Sequence, residues 1–115
     1  MLEALEKFSR QANDNRDVRR VVGAWTVDLV LAESDGADRW VLEVRDGRIA
    51  RVQSADTIDA SSRQLEVTGT RAVLESLFSG TLNPVRAATR GDLEIFGDMS
   101  DQTRLDAVAL ILWGP

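Results

Sequence analysis

The dipeptide Asp46-Gly47 limits this chain more than any other feature. Before it, Trp40, Leu42 and Val44 alternate with Val41, Glu43 and Arg45; after it, Arg48 to Val52 resumes a strand pattern. An Asp-Gly pair between two period-two segments specifies a two-residue hairpin, because both turn residues need positive φ. The pair therefore makes two strands antiparallel neighbours, with Trp40, Leu42 and Val44 expected to face a core. Upstream, Val21, Trp25, Val27, Leu29 and Leu31 share one parity, while Thr26 and Asp28 take the other. That pattern predicts a long first strand over Val21 to Leu31, joined to the hairpin through the turn-rich Glu33 to Asp38. The three strands form a meander.

Helical spacing governs much of the rest. Leu2, Leu5 and Phe8 mark a short amphipathic first helix ending near Ala12, and polar Asn13 to Arg20 reads as a loop. Gln53 to Arg63 is a polar connection with room for a short helical turn. Leu65 and Val67 alternate with Glu66 and Thr68 in a fourth strand. Thr70 then caps a helix carrying Val73, Leu74, Leu77 and Phe78, which Gly80 stops. Asn83-Pro84 starts another short helix that ends at Gly91. Leu93 and Ile95 alternate with Glu94 in a fifth strand closed by Gly97. Ser100 or Asp101 caps the last helix, whose Leu105, Val108, Ala109 and Leu112 fall at i, i+3, i+4 and i+7. Hairpin-linked strands followed by grouped helices predict an α+β fold, a mostly antiparallel five-stranded sheet with helices on one face. At 115 residues the chain is expected to be a single domain over residues 1–115.

Composition then removes function classes. The chain has no cysteine, no histidine and no tyrosine. Disulfides, thiolate chemistry, a Ser-His triad and the commonest metal ligands go with them. With 14 basic against 19 acidic residues the formal charge is −5, which opposes nucleic-acid binding and attraction to anionic membranes. Met1 to Arg10 is charged throughout, and the longest apolar run, Ala107 to Trp113, falls well short of the ~20 residues of a membrane span. A cytoplasmic location and no stable membrane insertion are the expectations.

The remaining polar groups favour plain roles. Gly91 to Asp98 holds two glycines around a strand but no lysine, so it reads as a helix stop and a tight exit rather than a phosphate cradle. Asp98, Asp101 and Asp106 lack the alternating ligands of a calcium loop, and the first two suit a helix N-terminus. Asp56, Asp59 and Glu66 read as solvated carboxylates. Arg45, Arg48 and Arg51 read as hairpin surface charge that blocks edge pairing, with anionic head-group binding as the sharper alternative. No catalytic residue, metal or cofactor is expected. An enzyme would have to work with Asp, Glu, Arg and Ser alone.

The stretch Trp40-Val41-Leu42-Glu43-Val44-Arg45-Asp46-Gly47 resembles the W-x-L-x-V-x-D-G hairpin of sterol carrier protein type-two domains. Leu74 to Pro84 is similar to that family's L-x-x-L-x-x-G-x-x-x-P helix and turn. Ala87, Gly91, Leu93, Ile95, Gly97 and Asp98 match its A-x-x-x-G-x-L-x-I-x-G-D signature, and Leu105 follows on a helix. The resemblance spans about residues 21 to 112. It implies an apolar tunnel between sheet and helices that binds or transfers a lipid or other hydrophobic small molecule without chemistry. Val27, Leu29 and Leu42 would line it from the sheet, and Leu74, Leu77 and Phe78 from the middle helix. Leu105, Val108 and Leu112 would do so from the last helix. Ala107, Leu110, Ile111 and Trp113 extend the apolar surface of that helix to its other sides. A homodimer through the C-terminal helix is therefore expected; the alternative function is an interaction module with a filled core.

Overall fold

The described residues, 1–54 and 63–114 of a computed structural model, run as α1 (Leu2–Asp14), α2 (Arg16–Val22), β1 (Val27–Glu33), β2 (Arg39–Arg45) and β3 (Arg48–Ser54). They continue as β4 (Gln64–Gly69), α3 (Arg71–Phe78), α4 (Pro84–Thr89), β5 (Glu94–Phe96) and α5 (Met99–Trp113). The turn between β2 and β3 forms with Asp46 at φ 54° and Gly47 at φ 78°, both in the left-handed region. Gly47 also donates its N–H to the Trp25 carbonyl at 2.8 Å, and a Cβ there would stand 1.9 Å from the Gly23 carbonyl oxygen. The hairpin tip is therefore seated on the segment that leads into β1, and only glycine fits.

The sheet order is β3-β2-β1-β4-β5. Leu29 of β1 stands opposite Leu42 in the antiparallel β2 and opposite Leu65 in the parallel β4. Val67 of β4 faces Ile95 of the antiparallel β5. The sheet is mixed and mostly antiparallel, and the fold is α+β. One parity of the central strands, with Leu29, Leu31, Leu42, Val44, Leu65 and Val67, joins the core. Helix residues Leu5, Phe8, Val18, Val22, Leu74, Leu77 and Val108 meet it there. Each such side chain contributes about 1.5–3 kcal/mol by leaving water. As expected, Trp40, Leu42 and Val44 are buried. Val30 and Val41, on the opposite parity, are buried too, because β1 and β2 lie inside the sheet.

Three expectations change. The segment expected as a loop from Asn13 to Arg20 is helical at both ends and broken only at Asn15. The side chain of Asn15 accepts from the N–H groups of Asp17 (2.9 Å) and Val18 (3.1 Å), capping α2. Val21 and Val22 consequently end a helix instead of starting a strand, and Gly23 at φ 54° stops it. Val18 and Val22, four apart, supply its buried face, a pairing that outweighs the β preference of a Val-Val step. β1 begins at Val27 and runs on to Glu33. Finally, Asp98 caps α5, not Ser100 or Asp101. The short helical turn expected between Gln53 and Arg63 lies mostly outside the described residues.

Candidate functional site

Helix α5 is held by different chemistry at its two ends. At the N-terminal end Asp98 Oδ1 accepts from the Ser100 N–H at 2.8 Å and the Ser100 hydroxyl at 2.6 Å. These bonds, helped by Arg63 at 3.8 Å, hold the Asp98 carboxyl below its ordinary pKa. One turn in, Asp101 is buried, with 1% of its surface exposed. Its Oδ1 accepts from the Trp25 indole Nε1 at 2.8 Å and its Oδ2 from Arg63 Nε at 2.8 Å. Asp101 therefore ties α5 to the approach to β1 and the approach to β4. Arg104 Nη1 adds a bond to the Val22 carbonyl at 3.0 Å.

The C-terminal end is apolar. Trp113 lies over Phe8 and Phe78, with ring centroids 5.3 and 6.2 Å away, and Phe8 meets Phe78 edge-on at 5.0 Å. Its indole N–H donates to the Leu77 carbonyl at 3.0 Å. Trp113, expected to reach a second surface, is instead turned into its own chain, because that carbonyl and the two rings satisfy both halves of the side chain.

Between these ends, α5, α4, α3 and the sheet enclose a cavity of about 420 Å³. Leu29 and Leu31 of β1, Val67 of β4 and Ile95 of β5 form its floor. Leu77 and Phe78 of α3, Val85 and Ala88 of α4, and Leu105, Ala109 and Leu110 of α5 form its walls, with Phe8 and Trp113 at one end. Val85 and Leu110 are about half exposed, 49% and 54%, so they mark its rim. A volume of this size is near the lower end for small-molecule sites, about 300–1,000 Å³, with room for one slender molecule. A larger groove of about 1130 Å³ runs between α1 and α3, but Glu3, Lys7, Arg10, Gln11 and Glu75 stand in its walls. Its polar lining makes it a poor solvent for an apolar molecule.

Of the residues singled out from the sequence, the structure places Leu29, Leu77, Phe78 and Leu105 in the cavity wall. Val108 faces a gap of about 30 Å³ beneath α1 and α2. Leu112 borders the polar groove. Val27, Leu42 and Leu74 are packed in the core with at most 1% exposed. Wall residues the spacing argument passed over include Leu31 and Val67. Both share the parity of the inward strand positions, so that signal was present. Val85 and Ala88 sit three apart on a helix of six residues, too short for a periodic pattern to stand out.

Arg45 stands on the interior strand β2 and guards no sheet edge. Arg45 pairs with Asp28 at 2.7 Å and with Glu43 at 3.4 Å, and Arg51 approaches Glu43 at 3.8 Å. Glu66 accepts from the Thr68 hydroxyl at 3.3 Å, and Asp56 and Asp59 lie outside the described residues. Gly91, at φ 82°, ends α4. Among the described residues no group of three His, Cys, Asp or Glu is placed to hold a metal, and no helix is long and apolar enough to cross a membrane.

No curated protein sequence matches the chain. Among solved structures, a crystal structure of sterol carrier protein 2 superposes with a TM-score of 0.72 at 19% identity, covering 98% of this chain and 92% of that one. Palmitated SCP2L2 from Aedes aegypti gives 0.60 at 19% identity, over 92% and 90%. A double mutant of the sec-alkyl sulfatase PisA1 gives 0.64 at 13% identity, where 94% of this chain covers 16% of that one. These likenesses share the fold. The family model described as the SCP-2 sterol transfer family matches residues 2–109, nearly the whole chain, and the protein belongs to that family.

Proposed function

We propose that the protein binds a lipid or other hydrophobic small molecule in the cavity between sheet and helices and carries it without chemical change. The observation that supports this reading is the 420 Å³ apolar space with a rim open at Val85 and Leu110. Each buried methylene contributes about 0.8 kcal/mol, so a chain of some ten carbons reaches roughly 8 kcal/mol, the micromolar range, before ordering costs. Leu29, Leu77, Phe78 and Leu105 would touch the ligand. Val27, Leu42 and Leu74 would act from behind by holding the floor and α3 in place, and Val108 and Leu112 by fixing α5. That one structural relative is palmitated supports a ligand with a long hydrocarbon chain.

Native mass spectrometry on freshly purified protein tests the reading, followed by titration with a neutral fluorescent apolar probe. A co-purifying small molecule, or saturable binding at micromolar concentration, is expected. Failure of probes of several lengths to bind would contradict the carrier and favour the interaction module. A homodimer through α5 would have to use the exposed Leu110 side, and light scattering reads it directly.

A further inference from the structure

Resting on the ligand-binding reading above, we infer that the cavity selects amphiphiles with a hydrogen-bond-donating head, an alcohol or an amine, over carboxylates, and that Asp106 sets the choice. Only two residues of its lining carry an oxygen in the side chain, Thr89 and Asp106. Both side-chain donors of the lining are taken. The Thr89 hydroxyl donates to the Val85 carbonyl at 2.8 Å. The Trp113 indole N–H donates to Leu77. The Val85 N–H, at the start of α4, donates to Asn83 Oδ1 at 2.9 Å. What the lining side chains leave for a ligand is acceptors: the lone pairs of Thr89 and the carboxylate of Asp106.

The basic residues point the same way. All 14 lysines and arginines lie within the described residues, and none lines the cavity. Arg90, at the end of α4, pairs with Asp92 at 3.4 Å. Asp106 is exposed on α5 and has no ion-pair or hydrogen-bond partner among the described residues. It stands one turn before Leu110, on the same helix face, which places it at the rim where the head of a bound amphiphile would emerge. A carboxylate head there meets the like charge of Asp106 and finds no free side-chain donor in the lining. A hydroxyl or ammonium head meets an acceptor.

The test compares 1-dodecanol, dodecylamine and dodecanoate, matched in chain length, as displacers of the neutral dye Nile red at low salt and near-neutral pH. Dodecanol should displace the dye at concentrations about fivefold below dodecanoate, the size of a unit-charge interaction across ~4 Å of water, and dodecylamine, attracted where dodecanoate is repelled, at concentrations about thirtyfold below it. Asp106→Asn should erase the gap between amine and carboxylate, and Asp106→Lys should invert it, each ranking being read against that variant's own Nile red affinity. Dodecanoate binding as tightly as dodecanol to the unmodified protein would overturn the inference, as would the same ranking in Asp106→Asn. In either case the dye still binds and the carrier reading stands. Absence of Nile red binding to the unmodified protein would remove the carrier reading and this inference together.

Discussion

The two ends of α5 face the same sheet but are held by opposite means. At the N-terminal end, Asp101 makes two charge-assisted or indole bonds at 2.8 Å from inside the protein. Such bonds are directional, and their loss leaves a buried carboxylate unpaired, so this end has one position. At the C-terminal end, contact is made by rings and aliphatic side chains around empty space. Dispersion and area burial are non-directional, so a ligand's methylenes can substitute for water there with little rearrangement. In the proposed function, one helix serves as both a fixed strut and the wall of an adaptable site.

Asp101→Ala should break the comparison at its rigid end and have the largest effect. It strands the Trp25 indole N–H and removes the carboxylate that Arg63 faces. Arg63 is 55% exposed and regains water, so the cost falls below that of a fully buried pair, at about 2–4 kcal/mol by urea unfolding. A loss under about 1 kcal/mol would show that the network does not anchor α5.

Trp113→Ala acts at the other end and should cost less, about 2 kcal/mol, because the ring is only half-buried and its neighbours can relax into the cavity. A penalty above that of Asp101→Ala would reverse the assignment of the two ends. Ala109→Phe sharpens the contrast differently. Ala109 lines the cavity, so the added ring fills space that a ligand would occupy. Stability should stay within about 1 kcal/mol while affinity for a neutral apolar probe falls about tenfold, as paired unfolding and titration curves would read.

The smallest effect concerns pH. The Asp98 carboxyl is held below its ordinary value of 3.8 by the bonds from Ser100 and by Arg63. A depressed carboxyl stabilises the folded state above the unfolded pKa, and that contribution fades as pH falls through the folded value. Unmodified protein should therefore lose slightly more stability than Asp98→Asn as pH is lowered through and below 3.8. Identical acid profiles would mean that the cap's charge has no role in holding α5.

Much of this architecture is legible in local patterns. The Asp46-Gly47 turn, the Thr70 and Asn83-Pro84 caps and the stripe of Leu105, Val108 and Leu112 all act over a few residues, where spacing is informative. What the pattern misplaced depends on distant partners. Asp101 looks like one of several capping acids until Trp25, 76 residues away, is seen donating to it. Trp113 looks like a surface anchor until Phe8 and Phe78 close over it. Val21 and Val22 look like strand residues because β-branched pairs favour strands, yet a single Asn15 cap makes them helical. The cavity is not legible in spacing, since an inward apolar residue lines a void or fills a core according to the volumes of all its neighbours. Leu29 and Leu42, opposite one another in the sheet, illustrate both outcomes.

In the proposed function, ligand enters at the apolar end of α5 while the polar end stays still. Methyl and indole NMR spectra during titration with a neutral apolar probe read both ends at once. Resonances of Val67, Val85, Leu105 and Leu110 and the Trp113 indole N–H should shift together and saturate, while the Trp25 indole N–H, bonded to Asp101, remains in place. Saturating shifts centred on Trp25 and Val22, with Val85 and Leu110 unmoved, would contradict it.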